Sequence, residues 1–196
     1  MDGLSIQILM DSKKLAIVII LTALSIGTNY AMMSLYNVKL MDLIVFIGGF
    51  CFGPIVGTLI GIISWAVYGT LNPLGFSLHI WLATMFSESI YGIAGAFMRK
   101  GLNSNGLNEF KNEGVNTCVF FGILGMFLTF IYDIITNIVF GYVYDWNILF
   151  AVIFGFVPFG LIHMVSNAFF FGLGCVPAIN AILNVAGGEK FGISKK

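Results

Sequence analysis

The run FGPIVGTLIGIISWAVYGTLNPLGF, residues 52–76, is apolar over most of its length yet holds five glycines and two prolines. Such residues weaken helices, and a water-soluble core rarely keeps so many in one stretch. Proline ends one helix and suits the first turn of the next. Gly53-Pro54 therefore divides the region into two helices, 40–52 and 54–70, joined by a tight turn. Gly49, Gly53, Gly57 and Gly61 recur every fourth residue. After Pro54, Gly57 and Gly61 share one helix face. In lipid such small residues let helix backbones approach closely, where no hydrophobic force drives helices together. The spacing predicts packing inside the monomer.

The whole chain prefers the same solvent. Of its 196 residues 59% are hydrophobic and 9% are charged, against about 25% charged in soluble domains. Mean hydropathy is +0.98. A globule cannot be covered in water with so few charges, so a bilayer is the expected surroundings. The formal net charge is zero, which argues against a nucleic-acid partner. Cys51, Cys118 and Cys175 lie singly in apolar runs and read as small buried hydrophobes. With no CxxC pair and two histidines far apart, no metal site is expected.

A membrane-crossing helix needs about 20 apolar residues. The expected helices are 14–35, 40–52, 54–70, 78–98, 116–141 and 158–186, making one membrane domain over 1–196. Pro158 divides the last apolar block, leaving 147–157 as a lid, an interfacial helix or part of the last span. The polar stretch RKGLNSNGLNEFKNEG, 99–114, is the one long loop, and 99–115 is placed in the cytoplasm. With the N-terminus inside, Lys13, Lys14, Arg99, Lys100, Lys111, Lys190, Lys195 and Lys196 fall inside, and Lys39 alone outside. This bias is the positive-inside pattern. Merging 40–70 into one span would destroy it. The expected fold class is an all-α integral membrane protein of six spans, with both termini cytoplasmic.

Ionisable residues within spans are costly and mark function. Three stand four residues from another polar group, on one helix face: Thr84/Glu88, Asp133/Asn137 and His163/Asn167. Asp42 and His79 lie near span ends. At 1.5 Å per residue, a last helix starting at Pro158 puts all three pairs between the outer half and the midplane. They are expected to line a cavity open to the outside, the other reading being hydrogen bonds that hold the bundle together. Tyr36, Asn72, His79 and Trp81 are further candidates nearer the outer loops. With carboxylates at Glu88 and Asp133 and no outer arginine, a neutral or cationic ligand is expected, unless His163 or Lys39 pairs with an acidic one. No phosphate loop, HExxH or GxSxG motif occurs, so the chain is read as a non-enzyme. It carries no cofactor of its own.

The segments NVKLMDLIVFIGGFCFGPIVGTLIGIISWAVYGTLNPLG (37–75), ESIYGIAGAF (88–97), YDIITN (132–137) and HMVSNAFFFG (163–172) resemble the substrate-binding S components of energy-coupling factor (ECF) transporters. The resemblance implies six helices and capture of a vitamin or related micronutrient on the outer side of a prokaryotic cell membrane. It also implies docking on a transmembrane coupling subunit driven by two ATPase subunits, which use the ATP. Small residues spaced by four on the first helix form the docking face in that family; Ala23, Gly27 and Ala31 match the spacing. The alternatives are a self-sufficient secondary transporter and an intramembrane enzyme.

Overall fold

Pro54 is the first residue of a helix, and Gly53 before it has φ +98°, a left-handed conformation that glycine takes without strain. The two helices that meet at this turn are α2, Met41–Phe52, and α3, Pro54–Thr70. The computed structural model describes residues 12–71, 75–102 and 114–185. Among these, α1 is Ser12–Ala31, α4 is Leu78–Gly101, α5 is Val115–Val143, α6 is Ile148–Gly155 and α7 is Leu161–Val185. No strand occurs among the described residues.

The central pillar is α2. Every residue from Met41 to Cys51 is buried, and α1, α3, α4 and α7 all pack on it. A helix that is apolar all round belongs in such a place. At about 18 Å it is shorter than the roughly 30 Å hydrocarbon layer. α1, α5 and the α6–α7 stretch are long and apolar enough to cross a membrane, and α2 and α3 are shorter apolar helices.

The outward faces agree with a lipid solvent. Ile19, Ile20, Leu24, Phe97, Ile123, Phe127, Phe169 and Leu173 are all exposed, an apolar surface that water would not tolerate. α1 is turned accordingly: it buries Thr22, Ser25 and Asn29 beside Val18, and shows its large apolar side chains outward.

Glycine seams set the helix separations. α2, α3 and α4 meet at Gly49, Gly57 and Gly92, where a Cβ on any one would strike the backbone of another. Gly61 lies against Glu88, so the glycine stripe packs inside the monomer as expected. A second seam joins α5 to α7, with Gly122 and Gly172 against one another's backbones.

Two segments depart from the expected helices. α1 stops at Ala31 rather than 35, although Met32–Leu35 has no breaker. Asn37, at φ +53°, donates its side-chain N–H to the Phe159 carbonyl at 2.9 Å, a distant contact that pulls the chain off the helix axis. The last helix begins at Leu161 rather than Pro158. Phe156–Gly160 forms a π-type turn in which Val157 is non-helical and the Val157–Pro158 peptide is cis. Before it, α6 leans on α5, with Ala151 against Gly141 and Gly155 against the Asn137 side chain. Residues 147–157 are thus largely a short helix laid on α5.

Candidate functional site

At the end of the bundle where α3 and α5 finish and α4 and α7 begin, aromatic side chains gather. Trp65 from α3 and Tyr132 from α5 form two walls of a cavity of about 420 Å³. Phe154, Phe159 and Tyr36 line it from the α6–α7 turn and the α1–α2 connection. Side lobes of about 380 and 390 Å³ meet it at Trp65. This size and lining suit a small organic molecule. Phe140, Trp146, Phe150 and Phe154 form a ring cluster beside it, with centroids 5.4–5.8 Å apart; Trp146 meets Phe140 and Phe154 edge to face, and Phe150 stacks on Phe154.

The polar pairs foreseen on α4, α5 and α7 do not all line this cavity. Thr84, Asp133 and Asn137 do. Glu88, His163 and Asn167 are 0% exposed and lie in a hydrogen-bonded network behind the cavity wall. Glu88 accepts from the Trp65 indole N–H at 3.0 Å, which holds that ring in place. His163 lies between two carboxylates, Nδ1 3.0 Å from Asp133 and Nε2 2.7 Å from Asp42. Asn167 donates to the same Asp42 oxygen at 2.5 Å and to Thr129 at 2.7 Å. The Tyr91 hydroxyl donates to Thr129 at 3.0 Å, and Thr129 donates to the Gly125 carbonyl.

The proton count of the triad follows from its hydrogen bonds. A neutral imidazole has one N–H. Both contacts are bonds only if His163 carries two protons between two carboxylates, or one proton with one carboxyl protonated. Either way Asp42, His163 and Asp133 together hold one negative charge. Burial of such a group is tolerable only because it is paired and bonded on several sides.

Of the other candidates, Tyr36 lines the main cavity and Trp81 a side lobe. His79 is exposed on the first turn of α4 and lines neither the main cavity nor its side lobes. Asn72 lies outside the described residues. Ala23, Gly27 and Ala31 are all exposed on one face of α1, and a Cβ on Gly27 would meet nothing within 4 Å.

Three contributors were not singled out as site residues from the sequence. Asp42 was placed at a span end, yet it is fully buried and is the acceptor on which His163 and Asn167 converge. Thr129 lies one turn below Asp133 on the same face, so the spacing 129/133/137 carried the signal. Lys39, named from the sequence only as a possible partner of an acidic ligand, reaches into the cavity, its ammonium 5.1 Å from the Trp65 ring centre and 5.4 Å from that of Tyr132. Among the described residues no group of His, Cys, Asp and Glu is arranged to hold a metal ion.

Residues 13–173 match the family described as "ECF transporter, substrate-specific component". The chain belongs to that family. It is thereby a membrane-embedded transporter component, from a family that is not an enzyme class and whose members partner ECF coupling and ATPase subunits. No curated protein and no solved structure matches this S component. Its cavity has therefore to be read from its own side chains.

Proposed function

We propose that this S component captures a vitamin-like, ring-bearing micronutrient from outside a prokaryotic cell and hands it inward by docking on a coupling subunit driven by separate ATPases. The observation that carries this reading is the aromatic cavity at one end of the bundle, backed by a fully buried polar network. Rigid walls of this kind bind a small molecule without reorganising. The charge distribution supports six spans with both termini in the cytoplasm, which puts the cavity on the extracellular side. The sequence holds no phosphate-binding loop, so the energy for uptake comes from partner subunits or an ion gradient, and the family favours the partner subunits.

Vesicles from cells co-expressing the chain with ECF coupling and ATPase subunits should accumulate a compound from a native-source extract only when ATP is supplied inside. Mass spectrometry of the vesicle contents reads the result. Equal accumulation by the chain alone, driven by an ion gradient, would show a secondary transporter instead. Chemical conversion of the compound would show an enzyme.

The exposed stripe on α1 supplies the docking face in this reading. Gly27→Leu fills open space, so the chain should fold with unchanged or slightly raised stability, because leucine favours a helix over glycine by just under about 1 kcal/mol. The bulk should prevent close approach of a second helix. Co-purification with the coupling subunit and ATP-dependent uptake should both be lost while the cavity still binds. Undiminished co-purification would remove α1 from the docking face.

A further inference from the structure

The cavity has three polar groups that the protein leaves without partners. The Lys39 ammonium lies over two rings and makes no hydrogen bond or ion pair among the described residues. Tyr132 is 3% exposed and its hydroxyl has no hydrogen-bond partner. Asp133 is 6% exposed; one of its carboxylate oxygens holds His163 and the other, Oδ2, has no partner. All three residues line the same cavity.

Buried polar atoms without partners are costly. Asp42 Oδ1, Glu88 Oε1 and Asn167 Oδ1 behind the wall also have none, but of all these residues only Tyr132 and Asp133 line the cavity. Ring faces attract an ammonium but do not satisfy its three N–H donors. The three groups also differ in kind. Lys39 only donates, Tyr132 donates or accepts, and the free Asp133 oxygen accepts. Among the described residues no carboxylate lies within ion-pair distance of the Lys39 ammonium, and Asp42 and Glu88 act on it only from behind the cavity wall. The expectation of a neutral or cationic ligand rested on Glu88 and Asp133 both facing the ligand. Glu88 instead lies behind Trp65 as its hydrogen-bond partner, so one of the two repelling carboxylates is withdrawn from the cavity.

Resting on the carrier reading above, we propose that the cargo is a flat heteroaromatic acid. Its carboxylate, or an equivalent anionic oxygen, pairs with Lys39 and accepts from the Tyr132 hydroxyl. A ring N–H donates to Asp133 Oδ2. The ring plane lies between the aromatic walls. Lys39 is then the residue that selects an acid over its amide, and Asp133 the one that selects a ring N–H over a ring C–H.

Calorimetric titration of the full chain in detergent tests both assignments with three probes of one shape. These are benzimidazole-5-carboxylate, benzimidazole-5-carboxamide and 2-naphthoate. The benzimidazole acid should bind at least tenfold tighter than the amide, which lacks the charge, and than naphthoate, which lacks the N–H. Lys39→Gln should abolish the preference for the acid over the amide and leave the preference for the N–H. Lys39→Arg should keep both. Normal complex formation by Lys39→Gln with the coupling subunit shows that the variant folds. The proposal is overturned if the amide binds as well as the acid, if Lys39→Gln keeps the acid preference, or if no acid binds. Those results leave the carrier reading intact, because ATP-dependent uptake and docking are measured separately. Loss of these latter two in the wild-type chain would remove the carrier reading instead.

Discussion

Gly92→Ala should lower the unfolding temperature of the detergent-solubilised chain by about 4–8 °C. The added Cβ would lie 2.5 Å from the Gly57 carbonyl carbon and 2.8 Å from its Cα. These are backbone atoms, so no side-chain rotation relieves the clash and α3 and α4 must separate. Gly49 shares the seam: its own Cβ would strike the Gly92 carbonyl. Overpacking of this kind costs about 1–3 kcal/mol and sometimes more. In a chain of this size, each kcal/mol corresponds to roughly 2–4 °C. Alanine's better helix propensity offsets only about 1 kcal/mol. Because Gly61 lies against Glu88 in the same α3–α4 contact, separation should also disturb the bond that holds Trp65, weakening cavity binding. Gly27→Ala is the matched control, since its Cβ meets nothing; it should melt at or slightly above the wild-type temperature. A Gly92→Ala protein as stable as the wild type would mean that the three-helix seam is looser than described.

Asp42→Ala should destabilise the chain by about 3–5 kcal/mol, the usual cost of stripping one partner from a buried charged pair. His163 Nε2 and the Asn167 side-chain N–H would lose their shared partner at a fully buried site. Asp42→Asn keeps an oxygen acceptor and should recover part of the loss. His163→Ala should also destabilise, and the double variant should lose less than the sum of the two, because the residues act through one contact. Asn137→Ala, at the cavity wall rather than in the network, should change stability little. Thermal unfolding of the six proteins, wild type included, decides the matter. Strictly additive losses, or an Asp42→Ala chain of wild-type stability, would show that the network does not hold the bundle together. The same logic separates the roles within each foreseen pair: Asn167→Ala should act on stability, and Asp133→Ala on binding as well.

What the sequence by itself determined was local or one-dimensional. The turn at Gly53-Pro54 was legible because proline's missing N–H and glycine's free φ act within a residue or two. The apolar segments were legible because membrane crossing is set by contiguous length. The shared faces of Asp133 with Asn137 and of His163 with Asn167 followed from helix periodicity alone. Tertiary structure decided that Asp133, Asn137 and Thr84 meet the cavity while Glu88, His163 and Asn167 lie behind it, because that depends on how far each helix is rotated about its axis. The glycine seams fix those rotations through contacts between helices, and no spacing along one helix reports them. Asp42 and His163 meet across 121 residues, and Asn37 and Phe159 across 122. The first contact turned a residue at a span end into the centre of a buried network. The second ended α1 early, in the same connection that carries Lys39 to the rings of Trp65 and Tyr132. An ammonium placed there is the choice of the folded chain, since the sequence shows only a lone charge between two apolar runs.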